Sequence, residues 1–337
     1  MSRRYEAICK MKLVSFKAGD GLVHAGALHG EYVFGLEYPT LLELLRDPVG
    51  LEHARAALTQ DPQGGAYVYV PAAEEKPTSI LDSVQPVWGE EAKDYAQNEV
   101  RFLPPIPEPP TLRDFYAFEQ HVRAARALRN ADMIPEWYEI PTFYFSNTSE
   151  LYGHDSDVPY PEGSVELDFE LEIACVIGRE GKDIPVEEAT DYIAGYTIMN
   201  DWSARDLQRK DMKLSLGPGK GKDFATSFGP CLVTPDELAS LRTGSGASER
   251  YDMLMLARIN GREVSRGNFK DIYYSFPQMI AHASRNARLR VGDVLCSGTV
   301  GTGCILELTT AVHPWLQRGD VVELEIAGVG ALRNRIV

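Results

Sequence analysis

No run of apolar residues approaches the roughly 18 needed to cross a bilayer, and the opening Met-Ser-Arg-Arg-Tyr-Glu lacks the uninterrupted apolar core of a secretory leader. Both absences make the cytoplasm the expected location and exclude a membrane partner. Cations are scarce: 34 Lys and Arg stand against 49 Asp and Glu, a formal charge of -15. That balance argues against nucleic acid, whose phosphates require concentrated Lys and Arg. It leaves room for a small anionic substrate held by one local cluster of cations. The 5 cysteines (Cys9, Cys175, Cys231, Cys296, Cys304) form an odd set without a CxxC pair and read as buried thiols of a reducing compartment. Neither Gly-x-Ser-x-Gly nor HExxH occurs. The glycines of Gly217 to Asp223 miss the phosphate-loop spacing, since Leu216 stands where the first glycine is required and Asp223 replaces Ser or Thr. Gly298 to Gly303 has the wrong glycine order for a dinucleotide loop and reads as a tight hairpin.

What is present is a globular composition, with 44% hydrophobic and 25% charged residues in 337. Short alternating segments with glycine punctuation predict strands over 12–16, 22–28, 32–36 and 66–70, and helices over 39–46 and 51–58. The five prolines between Phe102 and Pro110 exclude helix and inner strand there. They divide the chain into an N-terminal β-rich domain, 1–103, a stiff connector, 104–110, and a second domain, 111–337. In the latter, periodicity predicts a helix over 112–130 and another begun by Ser203 as N-cap and ending at Met212. Strands are predicted over 142–145, 193–199, 228–234, 253–259, 294–297, 304–308 and 321–327, with Asn260-Gly261 as a type I′ turn. No regular βα alternation appears, so the fold class is α+β, mostly β.

The stretch from Val165 to Ile177 carries Glu166, Asp168, Glu170 and Glu172 at a period of two, then turns apolar on both faces. Carboxylates ~7 Å apart repel by about 2 kcal/mol per pair at an effective dielectric near 20. Glu170 and Glu172, placed where the strand enters the core, therefore call for a divalent cation, while Glu166 and Asp168 read as the wetter start of the same face. Asp114 and His121, seven residues apart, would share one face of a continuous helix, about 10.5 Å apart along its axis. Asp201 ends a strand, Arg205 and Gln208 share a helical face, and Lys222 lies in a glycine-rich loop. The other histidines read as structural or surface groups.

Together, Asp114-Phe-Tyr-x4-His121, Asp168-Phe-Glu170-Leu-Glu172, Gly195-Tyr-Thr-x3-Asp201-x-Ser-Ala-Arg-Asp206, Lys220-Gly-Lys222-Asp-Phe-x-Thr226 and Ser297-Gly-Thr299 resemble the fumarylacetoacetate hydrolase family. The resemblance covers roughly 111 to 337. It implies a mixed β-sandwich or roll core, usually a homodimer, and a divalent ion, commonly Mg²⁺ with Mn²⁺ or Ca²⁺ as substitutes. It further implies metal ligation by Asp114, Glu170, Glu172 and Asp201, and a catalytic His121 oriented by Glu307. Lys222, Arg205 and Gln208 would contact oxyanion and substrate oxygens, with Tyr116 and Thr299 nearer the substrate. An all-carboxylate shell suits a hard cation. The expected reaction is hydrolysis of a carbon-carbon bond in an acylpyruvate or related 1,3-diketo acid. Decarboxylation, isomerisation and hydration of oxo acids are the family's alternatives, and a non-catalytic binder is the alternative outside enzymes. Met212 stands where the tyrosine-catabolic enzyme of the family has a substrate-binding tyrosine, which argues against fumarylacetoacetate itself.

Overall fold

A computed structural model describes residues 11–19, 21–29, 32–59, 66–69, 86–87 and 100–337. Cys9, Val70 and most of the polar stretch leading to Val100 lie outside them. The strand Leu171–Ile177 is the centre of the architecture, and every one of its residues is buried. Its period-two alternation feeds two separate apolar clusters: Leu171, Ile173, Cys175 and Ile177 pack on one face, Ala174 and Val176 on the other. It pairs antiparallel with Ile193–Asp201 and with Val294–Cys296. Beyond Val294–Cys296 come Leu112–Phe115, in parallel, and Phe143–Phe145. On the opposite side Thr226–Val233 follows, and Lys12–Lys17 pairs with it, Lys12 opposite Val233. The early strands are thus hydrogen-bonded into the same 13-stranded sheet. A second sheet of five strands includes Leu254–Ile259, Val321–Ile326 and Gly330–Ile336, and its inner side chains share a core with Ile173 and Tyr196. The result is a mostly-β fold with mixed sheets, as the strand count in the sequence predicts. Among the described residues no helix is long and apolar enough to cross a membrane.

Several local expectations are corrected. The segment 112–130 is not one helix: Leu112–Phe115 is a strand and the helix is Glu119–Ala127. The apolar run Phe115-Tyr116-Ala117-Phe118 extends the strand side of the segment, and the helix begins where Glu119 places an acid in its first turn. Residues 304–308 form a short helix, Ile305–Leu308, rather than a strand, because the Asp168 carboxylate accepts from the Ile305 and Leu306 N–H groups at 2.7 and 3.0 Å. Ser203 does not cap the next helix. It lies in the strand Ser203–Ala204, opposite Asp168, and the helix is Arg205–Met212. Gly298 to Gly303 is no hairpin; it wraps Leu171, whose N–H donates to Gly303 O while its carbonyl accepts from Val300 N–H. The Asn260-Gly261 turn stands as predicted, with φ of 52° and 78°. The four described cysteines are buried free thiols.

Candidate metal centre and active site

Register places the acids. Asp114 is opposite Cys296, Glu172 opposite Met199, and Asp201 ends the strand beside it, opposite Thr226. All three therefore sit at one end of the central strands. They also share a sheet face, since Leu112, Ala174 and Met199, each two residues from one of these acids, all belong to the same apolar cluster. Asp114, Glu172 and Asp201 are 3%, 0% and 0% exposed, and each offers a carboxylate oxygen within 4.8 Å of the others. Asp114 Oδ1, Glu172 Oε1 and Asp201 Oδ1 have no hydrogen-bond partner among the described residues. Burial, then the neighbouring Asp201 charge, holds Asp114 well above the usual carboxylate range; burial, then Asp114, does the same to Glu172. Burial raises Asp201 too, against the pull of Lys222. Three clustered carboxylates, each with one oxygen lacking a hydrogen-bond partner, fit a hard divalent cation, which would turn this repulsion into attraction.

Glu170, expected as a fourth member, stands apart. Its Oε1 is ion-paired with Arg205, 2.8 Å from Nη2, and its Oε2 accepts from Lys222 Nζ. Burial favours its neutral form, but Lys222 and Arg205 outweigh it and hold the carboxyl below its ordinary value. Lys222, 4% exposed, also donates to Asp201 Oδ2 at 2.5 Å. Burial alone would lower the Lys222 pKa; Asp201 and Glu170 raise it instead. Gly221 makes this placement possible, because a Cβ there would lie 2.5 Å from Gln208 Cα. Asp168 is buried rather than wet. It accepts from Arg205 Nε at 2.9 Å and lies 2.8 Å from Nη2 in the same ion pair, so the alternating acids divide by partner: Glu166 alone keeps the surface role, paired to Arg209.

Opposite the acids, His121 Nδ1 is hydrogen-bonded to Glu307 Oε1, and Glu307 Oε2 accepts from Thr302 N–H at 3.0 Å. The Tyr116 ring meets the imidazole edge-on at 5.4 Å between centroids, and burial pushes its hydroxyl pKa up to about 12. A cavity of about 360 Å³ joins the two halves, lined among others by Asp114, His121, Glu172, Arg205, Gln208 and Lys222. Tyr116, Met212 and Thr299 also face it, as do Arg126 from the His121 helix and Arg129 just beyond its end. The sequence reading missed Tyr144, which donates to Asp201 Oδ2 at 2.7 Å. Its signal was available: in Phe143-Tyr144-Phe145 the middle side chain must face opposite to its neighbours. Burial and the Asp201 charge keep that phenol protonated, so it remains a donor.

A mostly-β fold whose central strands end in a buried carboxylate cluster facing a His-Glu pair defines a class of small-molecule sites capable of holding a divalent cation. The chain belongs to the fumarylacetoacetate hydrolase family: residues 111–337 match its profile, described as Fumarylacetoacetate (FAA) hydrolase C-terminal. It is 31% identical over 267 residues to the fumarylacetoacetase of Oryza sativa, a match covering 63% of this chain and 62% of that one. The chain thus spans about three fifths of that relative's length. It is also 31% identical over 248 residues to the oxaloacetate tautomerase YisK of Bacillus subtilis, covering 72% and 75%. Among solved structures, the maleylpyruvate hydrolase from Sphingobium sp. SYK-6 superposes with a TM-score of 0.66 at 21% identity, over 97% of this chain and 99% of that one, a likeness of fold.

Proposed function

We propose that the chain hydrolyses a carbon-carbon bond in an acylpyruvate or related 1,3-diketo acid. The observation that carries this reading is the His121-Glu307 pair facing the carboxylate cluster across one cavity. With Nδ1–H donated to Glu307, Nε2 of His121 is the free base toward the cavity. It takes a proton from water as the water oxygen adds to the acyl carbonyl carbon. Arg205, Gln208 and Lys222 stabilise the oxygen that gains negative charge, a contribution typically about 3 kcal/mol per donor. The carbon-carbon bond then breaks, its electron pair passing to the pyruvate fragment as an enolate, which recovers a proton to give pyruvate beside the carboxylic acid. Asp114, Glu172 and Asp201 would hold Mg²⁺, Mn²⁺ or Ca²⁺, with Glu170 adjacent. When bound, the ion supplies Lewis-acid stabilisation of negative charge on carbonyl oxygens. Arg126 and Arg129 at the cavity suit an anionic substrate despite the net charge of -15.

Pyruvate release from a panel of acylpyruvates, with Mg²⁺ present, tests the reaction. Release at one or more chain lengths is expected, and none at any length rejects it. A second reading, enol-keto isomerisation of an oxo acid, draws on the relative named oxaloacetate tautomerase, three quarters of which this chain spans. Proton exchange at the carbon next to the keto group, without carbon-carbon cleavage, would select it. The cation reading has its own measurement. Mg²⁺ at 100 times its dissociation constant is expected to stabilise the fold by about 2.7 kcal/mol, seen as a rise in Tm. Asp114→Asn and Glu172→Gln should lose that rise. An unchanged rise in both variants would place the ion elsewhere.

A further inference from the structure

A second ligand set lies across the cavity from the acids. His121, Cys304 and Glu307 each offer a ligand atom within 4.8 Å of one another. Cys304 Sγ lies 3.9 Å from Glu307 Oε1, the oxygen that also accepts from His121. The thiol is 0% exposed and the histidine 4%. Glu307 Oε2 is anchored by Thr302 N–H, which fixes Oε1 between the nitrogen and the sulfur. We propose that these three side chains form a second metal site, for Zn²⁺ or a similarly thiophilic divalent ion, and that filling it silences the His121-Glu307 pair.

The chemistry separates the two centres. Asp114, Glu172 and Asp201 offer only oxygen, which suits hard cations, whereas one nitrogen, one sulfur and one oxygen are the mixed set that Zn²⁺ selects over Mg²⁺. Tetrahedral Zn²⁺ with bonds of about 2.0–2.3 Å needs donor atoms roughly 3.5 Å apart, close to the 3.9 Å between Cys304 Sγ and Glu307 Oε1, and His121 and Glu307 would move apart to admit it. Three protein ligands leave a fourth position for water, and the cavity that His121 and Leu306 line gives the entry path. On binding, the Cys304 S–H bond breaks, its electron pair goes to the metal and its proton leaves to solvent. The ion takes the place of the hydrogen bond between His121 and Glu307, so the imidazole is no longer held as a base. The ligand set stands whatever the substrate; only its effect on turnover rests on the role proposed for His121.

Co²⁺ serves as the probe, because thiolate ligation adds an intense near-ultraviolet absorption that carboxylates and imidazole do not give. With Mg²⁺ saturating, titration of the full chain is expected to develop this band at one equivalent, and Zn²⁺ to remove it. Cys304→Ser should abolish the band and weaken inhibition by Zn²⁺ at least about tenfold, losing a direct ligand where outer-shell changes already cost about 10–100-fold. His121→Asn should weaken Co²⁺ binding comparably, which provides a second route should Cys304→Ser fail to fold. A wild-type chain without the band, a band that survives in Cys304→Ser, or Zn²⁺ inhibition relieved by excess Mg²⁺ would each overturn the proposal.

Discussion

His121→Asn is expected to lower kcat by about two to four orders of magnitude, the usual contribution of a positioned general base. Asparagine keeps a polar group of similar reach but has no basic nitrogen, so the loss should fall on kcat rather than KM. Burial of His121 and its contacts to Tyr116 and Glu307 on this side of the cavity do not touch Asp114, Glu172 or Asp201. The rise in Tm caused by Mg²⁺ should therefore persist unchanged in this variant. Steady-state kinetics and a thermal melt on the same preparation check both halves. Retained turnover with intact metal response would remove His121 from the chemistry, and wild-type and variant equally inactive would favour a binding protein.

Arg205→Met is the substitution expected to cost most stability. The guanidinium is 3% exposed and joins two carboxylates, Asp168 and Glu170, that are themselves 0% and 5% exposed. Burial would lower its pKa, yet Glu170 and Asp168 raise it well above its ordinary value, so the cation is firmly charged. Removing it leaves Asp168 without its charge partner and Glu170 with Lys222 alone. Breaking a buried ion pair from one side typically costs about 3–5 kcal/mol. Denaturant unfolding at neutral pH is the measurement, and a loss below about 1 kcal/mol would show that the two acids are neutral or hydrated in the native state. Lysine is no rescue, because a point charge cannot span both carboxylates as the fork does.

Much of the site was readable because its residues sit on short local motifs. The acidic run shows how far that goes. Alternation placed Glu170 and Glu172 at the core boundary, yet it also predicted one continuous strand with Asp168 at its wet end. The fold instead breaks at Phe169-Glu170, pairs Leu167–Asp168 with Ser203–Ala204, and buries Asp168 under Arg205. That outcome depends on a helix arriving from 37 residues away, which periodicity cannot see. The Asp114 to His121 spacing is a similar case. Two helical turns would have put both on one face, but a strand ends between them, and their approach across the cavity comes from the turn at Phe118. Glu307 was found by resemblance and misplaced by pattern, since its helix is only four residues long and exists through the carboxylate of Asp168. Asn260-Gly261, by contrast, needed nothing beyond its own backbone freedom.

The same Asp168 has a bearing on how this site can change. One of its oxygens accepts from Arg205 Nε and the Leu306 N–H, and the other accepts from the Ile305 N–H, at the start of the helix that carries Glu307. A single carboxylate thus holds both a cation that lines the cavity and the helix whose acid is hydrogen-bonded to the histidine. Variants at Arg205 and at Glu307 should not combine independently: the second substitution removes a positioning that the first has already loosened. Sequence drift in this pocket is therefore expected to be epistatic through Asp168, a residue that does not itself line the cavity.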